Sequence, residues 1–233
     1  MSLFTLKKTG LALLLAVTSL ASSHLYAGGI ALGGTRIIYP QDAKQTNVSI
    51  QNTSDKSTFL VQSWVEDAHG KKSKDFIATP PLFVSGPKNE NTLRLMYTGK
   101  ILPKDRESLY YFNAKAVPSA DKKALEGKSV LMLAAITRVK LFVRPDGLTP
   151  SADAAPAELS FHKQANKLSI TNPTPYYITV TELKVGNHKL SDVMVAPKDK
   201  TTVALPAGVN GPVTFHTIND YGAVTPEVKA VMK

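Results

Sequence analysis

The chain contains no cysteine among its 233 residues. This absence excludes disulfide frameworks, thiol nucleophiles and cysteine-ligated metal centres. The protein must therefore be held together by the burial of an apolar core.

Histidines and catalytic motifs are also scarce. The chain has no Gly-x-Ser-x-Gly motif and no phosphate-binding loop. The histidines beyond residue 27 are widely spaced, with no pair at i,i+2 or i,i+4, which disfavours a metal site: His69, His162, His188 and His216. Three carboxylates lie beside basic or amide residues, which favours ion pairing over acid–base chemistry: Asp105, Glu107 and Asp220. The sequence predicts no enzyme, cofactor, metal or small-molecule substrate.

Long apolar runs are absent beyond the N-terminus. Lys7 and Lys8 precede the apolar segment 11–20, and small residues follow up to Ala27. This pattern is typical of a secretory signal peptide and is too short for a membrane span. We therefore assign residues 1–27 to a signal peptide and expect an exported mature protein of 206 residues.

The formal charge is +10, and +8 without Lys7 and Lys8. The basic residues are scattered, apart from one cluster at residues 71–74. Export and scattered charge together disfavour nucleic acid as a partner. A net positive charge suits weak steering toward acidic proteins.

Short runs rich in Val, Ile, Thr, Tyr and Phe, broken by Gly, Pro, Asn and Asp, predict an all-β chain. A turn-rich linker at 145–156 divides it into two β-sandwich domains, 28–148 and 149–233. The predicted strands of the first domain are 30–38, 46–52, 58–66, 75–77, 81–84, 92–97, 108–116 and 129–144. Those of the second are 158–163, 167–172, 176–186, 201–205, 212–218 and 228–232.

The segment 130–145 is the most informative part of the chain. Its first half is apolar on both faces of a strand, whereas in its second half Val139, Leu141 and Val143 alternate with Arg138, Lys140 and Arg144. A strand that is apolar on both faces must be covered on both. At a sheet edge it would also offer unpaired backbone groups to another chain. These features predict a surface for an extended peptide, although the same leucines could instead fill this protein's own core.

Several segments, taken in order, resemble one protein family. They are Thr35–Pro40, Ala78–Phe83, Leu102–Pro118, Thr137–Pro145, Asn172–Tyr177 and Ile218–Ala223. Together they closely resemble the periplasmic pilus-assembly chaperones of the chaperone–usher pathway. The resemblance covers essentially the whole mature chain, and residues 102–118 are its most specific part. The short loop at 118–128 resembles the short-loop branch of this family.

The resemblance implies two immunoglobulin-like sandwiches in a boomerang arrangement, located in the periplasm. In this family, the chaperone lends a strand to a fimbrial subunit that lacks its own final strand, as in donor-strand complementation. An outer-membrane usher then exchanges that strand for the next subunit's N-terminal extension. The implied partners are fimbrial subunits and the usher, and no cofactor is needed.

The resemblance also implies roles for particular residues. Arg36 and Lys140 match the cations that bind the subunit's C-terminal carboxylate. The lent side chains match Leu131, Leu133 and Ala135, followed by Ile136 and Thr137. Since Lys140 has the opposite strand parity from Leu131, placing both toward one partner would need a bulge or twist. An interdomain charge network is implied for Glu107, Arg144 and Asp220.

Two other functions remain open at this stage. A structural or adhesive fimbrial protein would carry an N-terminal donor extension and often a cysteine pair, neither of which is visible. A secreted β enzyme or sugar-binding protein would need clustered carboxylates, histidines or aromatics, whereas Trp64 is the single tryptophan. An exposed strand also allows the free protein to cap itself as a dimer.

Overall fold

The computed structural model describes residues 28–119, 127 and 131–233. The predicted signal peptide, most of the predicted 118–128 loop, and Ser129 and Val130 lie outside the described residues. No helix among the described residues is long and apolar enough to cross a membrane. The one short helix spans Ala155–Glu158.

The described part of the first domain has nine strands. In chain order they are β1 Ile30–Leu32, β2 Arg36–Pro40, β3 Thr46–Asn52, β4 Phe59–Asp67, β5 Phe76–Thr79, β6 Leu82–Ser85, β7 Glu90–Tyr97, β8 Ser108–Pro118 and β9 Ala135–Arg144. One sheet has the order β1-β3-β7-β5 and the other β2-β9-β8-β4-β6. The core between the sheets includes Ile50, Val61, Leu93, Phe112 and Leu141.

The second domain is built from nine shorter strands. They are β10 Ser160–Gln164, β11 Lys167–Asn172, β12 Ile178–Val185, β13 His188–Lys189, β14 Val193–Val195, β15 Asp199–Ala204, β16 Val213–Thr217, β17 Val228–Lys229 and β18 Val231–Met232. The sheets have the orders β15-β11-β10-β18 and β13-β12-β16-β17, with β14 beside β12. Phe161, Leu168, Val180 and Phe215 lie in the core between them. The predicted all-β fold with two sandwiches is confirmed.

Alternation explains why these segments form sandwich strands. In β4, Phe59, Val61, Ser63 and Val65 are buried, whereas the intervening residues lie on the outer face and are more exposed. Successive strand side chains point to opposite faces, so this pattern places one face on the core and the other toward solvent.

The predicted strand 30–38 is wrong as a single element. The chain leaves one sheet after Leu32 and enters the other at Arg36, so that β1 pairs with β3 and β2 pairs with β9. Gly33 and Gly34 lie at this crossing. The predicted strand 129–144 is also shorter among the described residues, since pairing begins at Ala135.

In each sandwich a buried asparagine at the end of a strand makes the same set of hydrogen bonds. No sequence repeat predicted this similarity. The buried Asn52 side chain donates hydrogen bonds to three carbonyl groups, of Ser57, Ser85 and Gly86. Asn172 does the same at the end of β11. In each case the side-chain oxygen accepts the backbone N–H two residues on. Full use of a buried amide fixes the turn that follows.

Candidate functional site

Strand β9 has an open backbone edge along half of its length. On one side it pairs with β8 from Ala135 to Val143 in a continuous antiparallel register. On the other side β2 covers only Lys140–Arg144, in parallel pairing. Within the described part of the chain, no strand pairs with this second edge at residues 135–139. Such an edge can accept another chain.

Apolar side chains that lead into this edge are exposed. Leu131 is 82% exposed and Leu133 is 70% exposed. By strand parity they continue the face that carries Val139 and Leu141, both of which are buried. Ala135 is exposed on that same side. Aliphatic side chains on this face are therefore buried within β9, at residues 139 and 141, and exposed before β9 begins, at residues 131 and 133.

The remaining predicted donor residues, Ile136 and Thr137, lie at the start of β9. Ile136 is 56% exposed and, by parity, lies on the opposite face from Ala135. Thr137 is half-buried on the same face as Val139. No bulge interrupts the β8–β9 ladder over 135–143. A partner strand laid along the edge would border side chains of both faces, so a bulge is not needed for it to reach both Leu133 and Lys140.

Arg36 and Lys140 lie opposite each other where the open edge ends. Lys140 Nζ donates a hydrogen bond to Thr179 Oγ1 at 3.0 Å. Arg36 donates one to the carbonyl of Ile218 at 2.9 Å. Both acceptors belong to the second domain, so the two cations lie between the sandwiches. Together they are called the cation pair below.

The electrostatics of the cation pair are unfavourable without an anion. Burial, followed by the charge of Arg36, lowers the pKa of Lys140. Burial also lowers the pKa of Arg36. Arg36 Nε is buried without a hydrogen-bond partner among the described residues. A carboxylate here would relieve the repulsion and would accept charge-assisted hydrogen bonds.

Glu107, Arg144 and Asp220 are brought together by the fold. Arg144 Nε donates to Glu107 at 2.7 Å, and its two terminal nitrogens donate to Asp220 at 2.6 and 2.7 Å. The second oxygen of Glu107 accepts the backbone N–H of Tyr177 at 2.8 Å. These three residues, called the arginine network below, join β9 of the first domain to two segments of the second.

Burial and ion pairing oppose each other in the arginine network, and the outcome differs between its members. Burial raises the pKa of Glu107, which is 3% exposed, against the lowering effect of Arg144. For Arg144, burial alone would lower the pKa, but the hydrogen bonds and charges of Asp220 and Glu107 raise it overall. Both carboxylates of the network bind Arg144, and their charges also favour the ionised form of Arg36 without offsetting the effect of burial on its pKa, whereas the pKa of Lys140 is lowered by burial and by Arg36.

Further interdomain contacts were not predicted from the sequence. Phe142 of β9 stacks on Tyr177, with ring centroids 5.7 Å apart. Lys198 of the second domain binds Asp105 at 2.6 Å, and Arg106 and Lys198 together hold the pKa of Asp105 well below its usual range. A pocket of about 180 Å³ lies between the domains, beside Arg36 and the arginine network. Of these contacts, the sequence predicted only that Asp105 would form an ion pair.

Two family models match the chain. "Pili and flagellar-assembly chaperone, PapD N-terminal domain" matches residues 29–149, and "Pili assembly chaperone PapD, C-terminal domain" matches residues 154–229. The chain belongs to the pilus-assembly chaperone family. Each of the two family models covers one of the sandwiches described above.

Curated relatives of this pilus-assembly chaperone are similar along most of their length. The probable fimbrial chaperone SfmC of Escherichia coli K12 is 53% identical over 206 residues, which cover 88% of this chain and 89% of SfmC. The chaperone protein FimC of the same strain is 48% identical over 206 residues, covering 88% of this chain and 85% of FimC.

Solved structures of chaperones share the fold. The periplasmic chaperone SfaE has a TM-score of 0.76 and 46% identity, covering 87% of this chain and 100% of SfaE. A Salmonella enterica complex of SafA pilin with the SafB chaperone has a TM-score of 0.79 and 29% identity, covering 90% of this chain and 98% of the matched chain. A chaperone of this architecture has therefore been solved with a pilin bound.

Proposed function

We propose that this protein is a periplasmic chaperone for fimbrial subunits, which binds them along the open edge of β9 and delivers them to an outer-membrane usher. The observation that carries the proposal is the position of the cation pair. The open edge runs from residue 135 to residue 139, and it stops at Lys140, where Arg36 begins β2. Two cations therefore mark the point at which a partner strand has to end.

The position of the cations sets the direction of the partner strand. β2 occupies the edge beyond Lys140, so an added strand cannot continue past that point. The charge that suits two cations at a chain end is a C-terminal carboxylate. A partner whose C-terminus lies at Lys140 runs parallel to β9, since β9 itself runs toward Lys140. Addition of a strand to an open edge is a common way to recognise peptides.

Leu131, Leu133 and Ala135 supply the apolar contacts of the proposed complex. They lie on one strand face, and their exposure means that they do not serve this protein's own core. Each leucine buried in a subunit groove would contribute about 1.5–3 kcal/mol. Ala135 is smaller and would contribute less. Ile136 and Thr137 extend the contact toward the cation pair.

The cation pair fixes the register of the bound subunit. A chain end can take only one position between Arg36 and Lys140, and that position aligns the subunit's side chains with those of β9. Removing one partner from such a desolvated charge contact typically costs about 2–5 kcal/mol. We therefore expect loss of Arg36, on β2, and loss of Lys140, on β9, to weaken subunit binding by similar amounts.

The arginine network has a structural role in this proposal. Arg144 connects Glu107 of the first domain to Asp220 of the second. It holds the second-domain carbonyl of Ile218 and hydroxyl of Thr179 where they meet the cation pair. We assign residues 28–148 to the donor-strand domain and 149–233 to the second domain. Residues 1–27 are assigned to the signal peptide that exports the chain to the periplasm.

An apolar patch on the first domain suits the usher. Leu60, Leu82 and Val84 are 38%, 53% and 62% exposed, and Leu60 pairs directly with Val84 across adjacent strands. They share the outer face of the sheet, away from the core. A contiguous exposed patch of this kind marks an interaction site. The open edge of β9 is on the far side of β8 from this patch, so a subunit and an usher can be bound together.

Periplasmic co-purification tests the proposal. The tagged chaperone is co-expressed with candidate fimbrial subunits, as wild type, Arg36→Ala, Lys140→Ala and Leu82→Ser. We expect soluble subunit with the wild type and with Leu82→Ser, and little with the two cation variants. Equal capture by all four would remove the cation pair from the site.

The alternative of a structural or adhesive fimbrial protein is disfavoured, because both matching family models describe chaperone domains. Such a protein would join the fibre and would be found in purified fimbriae, whereas a chaperone stays in the periplasm. Immunoblotting of sheared fimbriae separates the two functions. The exposed leucines also lead us to propose that the free chaperone caps itself as a dimer, which Leu133→Ser would convert to a monomer in size-exclusion chromatography.

A further inference from the structure

The hairpin 218–224 of the second domain carries a large aromatic side chain in solvent. Tyr221, at its tip, is 90% exposed. Ile218 and Val224 pair across the base of the hairpin. Because its ring is almost fully exposed, Tyr221 gains little from burial in this fold. An aromatic side chain in this position is available to a partner.

The tip of this hairpin is held in one conformation by its own hydrogen bonds. The side-chain oxygen of Asn219 accepts the backbone N–H groups of Tyr221 and Ala223, at 3.1 and 3.0 Å. The backbone of Asn219 also donates to Ala223 and accepts from Gly222, each at 3.0 Å. The backbone that presents Tyr221 is thus ordered before any partner arrives, which lowers the entropic cost of binding.

Three alternate residues of the hairpin contact the first domain around the cation pair. The carbonyl of Ile218 accepts the hydrogen bond from Arg36. Asp220 binds Arg144. Gly222 packs so closely on Thr35 that a Cβ atom on it would overlap Thr35 Oγ1. Tyr221 lies between Asp220 and Gly222 in sequence, so its backbone is held next to Thr35, the residue before β2.

We propose that Tyr221 packs against the last residues of the bound subunit and makes the site selective for its C-terminal side chain. This inference rests on the proposed function, in which the subunit strand ends at Arg36 and Lys140. Thr35 directly precedes Arg36, so the hairpin tip borders the place where that strand ends. Tyrosine is enriched among residues that dominate binding, because it combines a large apolar ring with a hydroxyl group.

The test measures the affinity of the purified mature chaperone for a synthetic peptide equal to the C-terminal strand of a fimbrial subunit that co-purifies with the wild type. Tyr221→Ala is expected to weaken binding about tenfold, and Tyr221→Phe to stay close to the wild type. Ile101→Ala is the matched control, since Ile101 is an apolar residue 92% exposed in a first-domain loop. All three variants should melt at the wild-type temperature.

A second peptide, in which the last residue is replaced by glycine, tests the selectivity. With this peptide the wild type and Tyr221→Ala should bind equally, since the side chain that Tyr221 contacts is gone. A persistent tenfold difference would place the contact elsewhere and overturn the assignment. Equal binding of the original peptide by Tyr221→Ala and Ile101→Ala would overturn it as well.

Arg36→Ala separates this inference from the proposed function. If Arg36→Ala loses the peptide while Tyr221→Ala retains it, the carboxylate anchor stands and the role of Tyr221 is rejected. If Arg36→Ala binds like the wild type, the peptide does not end at the cation pair, and both are rejected.

Discussion

Arg36 and Lys140 face each other across the only parallel strand pair of the described first domain, and each donates a hydrogen bond to a neutral oxygen of the second domain. The carboxylates of Glu107 and Asp220 are bound to Arg144 instead. The two cations are therefore partly desolvated, and neither forms a salt bridge with a carboxylate of the described residues, although the charges of Asp220 and Glu107 favour ionised Arg36. Binding of an anion would correct this imbalance.

Lys140→Met should stabilise the free protein while it abolishes subunit binding. The pKa of Lys140 is lowered in the folded state, chiefly by burial. Removing a partly buried charge that lacks a counter-ion should raise the free energy of unfolding by about 1 kcal/mol. Urea unfolding at neutral pH and periplasmic subunit capture measure the two effects. A Lys140→Met variant less stable than the wild type would contradict this account.

The same lysine predicts a pH dependence. Between the lowered pKa of the folded state and the ordinary value of 10.5, the unfolded chain binds a proton at residue 140 that the folded chain lacks. The stability of the wild type relative to Lys140→Met should therefore rise with pH across that window. Subunit affinity should fall there, since a bound carboxylate favours protonated Lys140. Titration calorimetry at several alkaline pH values checks the second trend, and an affinity that does not change with pH would contradict it.

Leu133 and Leu141 form a matched pair on the same strand face. Leu133 is 70% exposed, whereas Leu141 is completely buried. Leu133→Ser should leave the free energy of unfolding unchanged within about 0.5 kcal/mol but reduce subunit capture strongly. Leu141→Ala should cost about 2–5 kcal/mol of stability through the cavity it leaves. Equal destabilisation by both variants would show that Leu133 belongs to this protein's own core.

Arg144→Ala should destabilise the protein by about 3–5 kcal/mol, because it leaves Glu107 buried without a counter-ion. Adding Glu107→Gln to this variant should restore part of the loss, since a neutral amide costs less to bury than a carboxylate. Urea unfolding of the two single variants and the double variant measures the coupling. Additive effects would mean that the two residues do not act together.

A subunit with a changed C-terminus tests the end of the open edge. Extending the subunit by a few residues should prevent capture, because β2 occupies the edge beyond Lys140. Amidation of the corresponding C-terminal peptide should weaken binding without adding length, since it removes the charge and replaces one acceptor oxygen by an NH2 donor. If the extended subunit is captured like the original, the partner strand does not terminate at the cation pair.

The local sequence predicted the strand that carries the site, and the family resemblance pointed to its charged residues. Val139, Leu141 and Val143 alternate with polar residues, and this period of two predicts a half-buried strand. The resemblance to the chaperone family pointed to Glu107, Arg144 and Asp220, which the fold brings together from three distant segments. Neither periodicity nor spacing could bring them together, because the contact depends on how two domains meet.

The split of residues 30–38 shows where a sequence pattern is insufficient. Ile30, Leu32, Ile37 and Tyr39 all suit a strand, yet β1 and β2 lie in different sheets. The local preference of each half is the same. Only the available partners, β3 for one half and β9 for the other, decide where each half pairs.

The sequence by itself determined the class of fold and the inventory of the site: an all-β chain without cysteine, two strands with a cation each, and an apolar segment before residue 140. The tertiary structure decided which leucines are buried. Leu133 and Leu141 have the same side chain and the same parity, and they differ only in what lies over them. Burial depends on strands that come from elsewhere in the chain, so no local pattern could have separated the exposed leucines from those of the core.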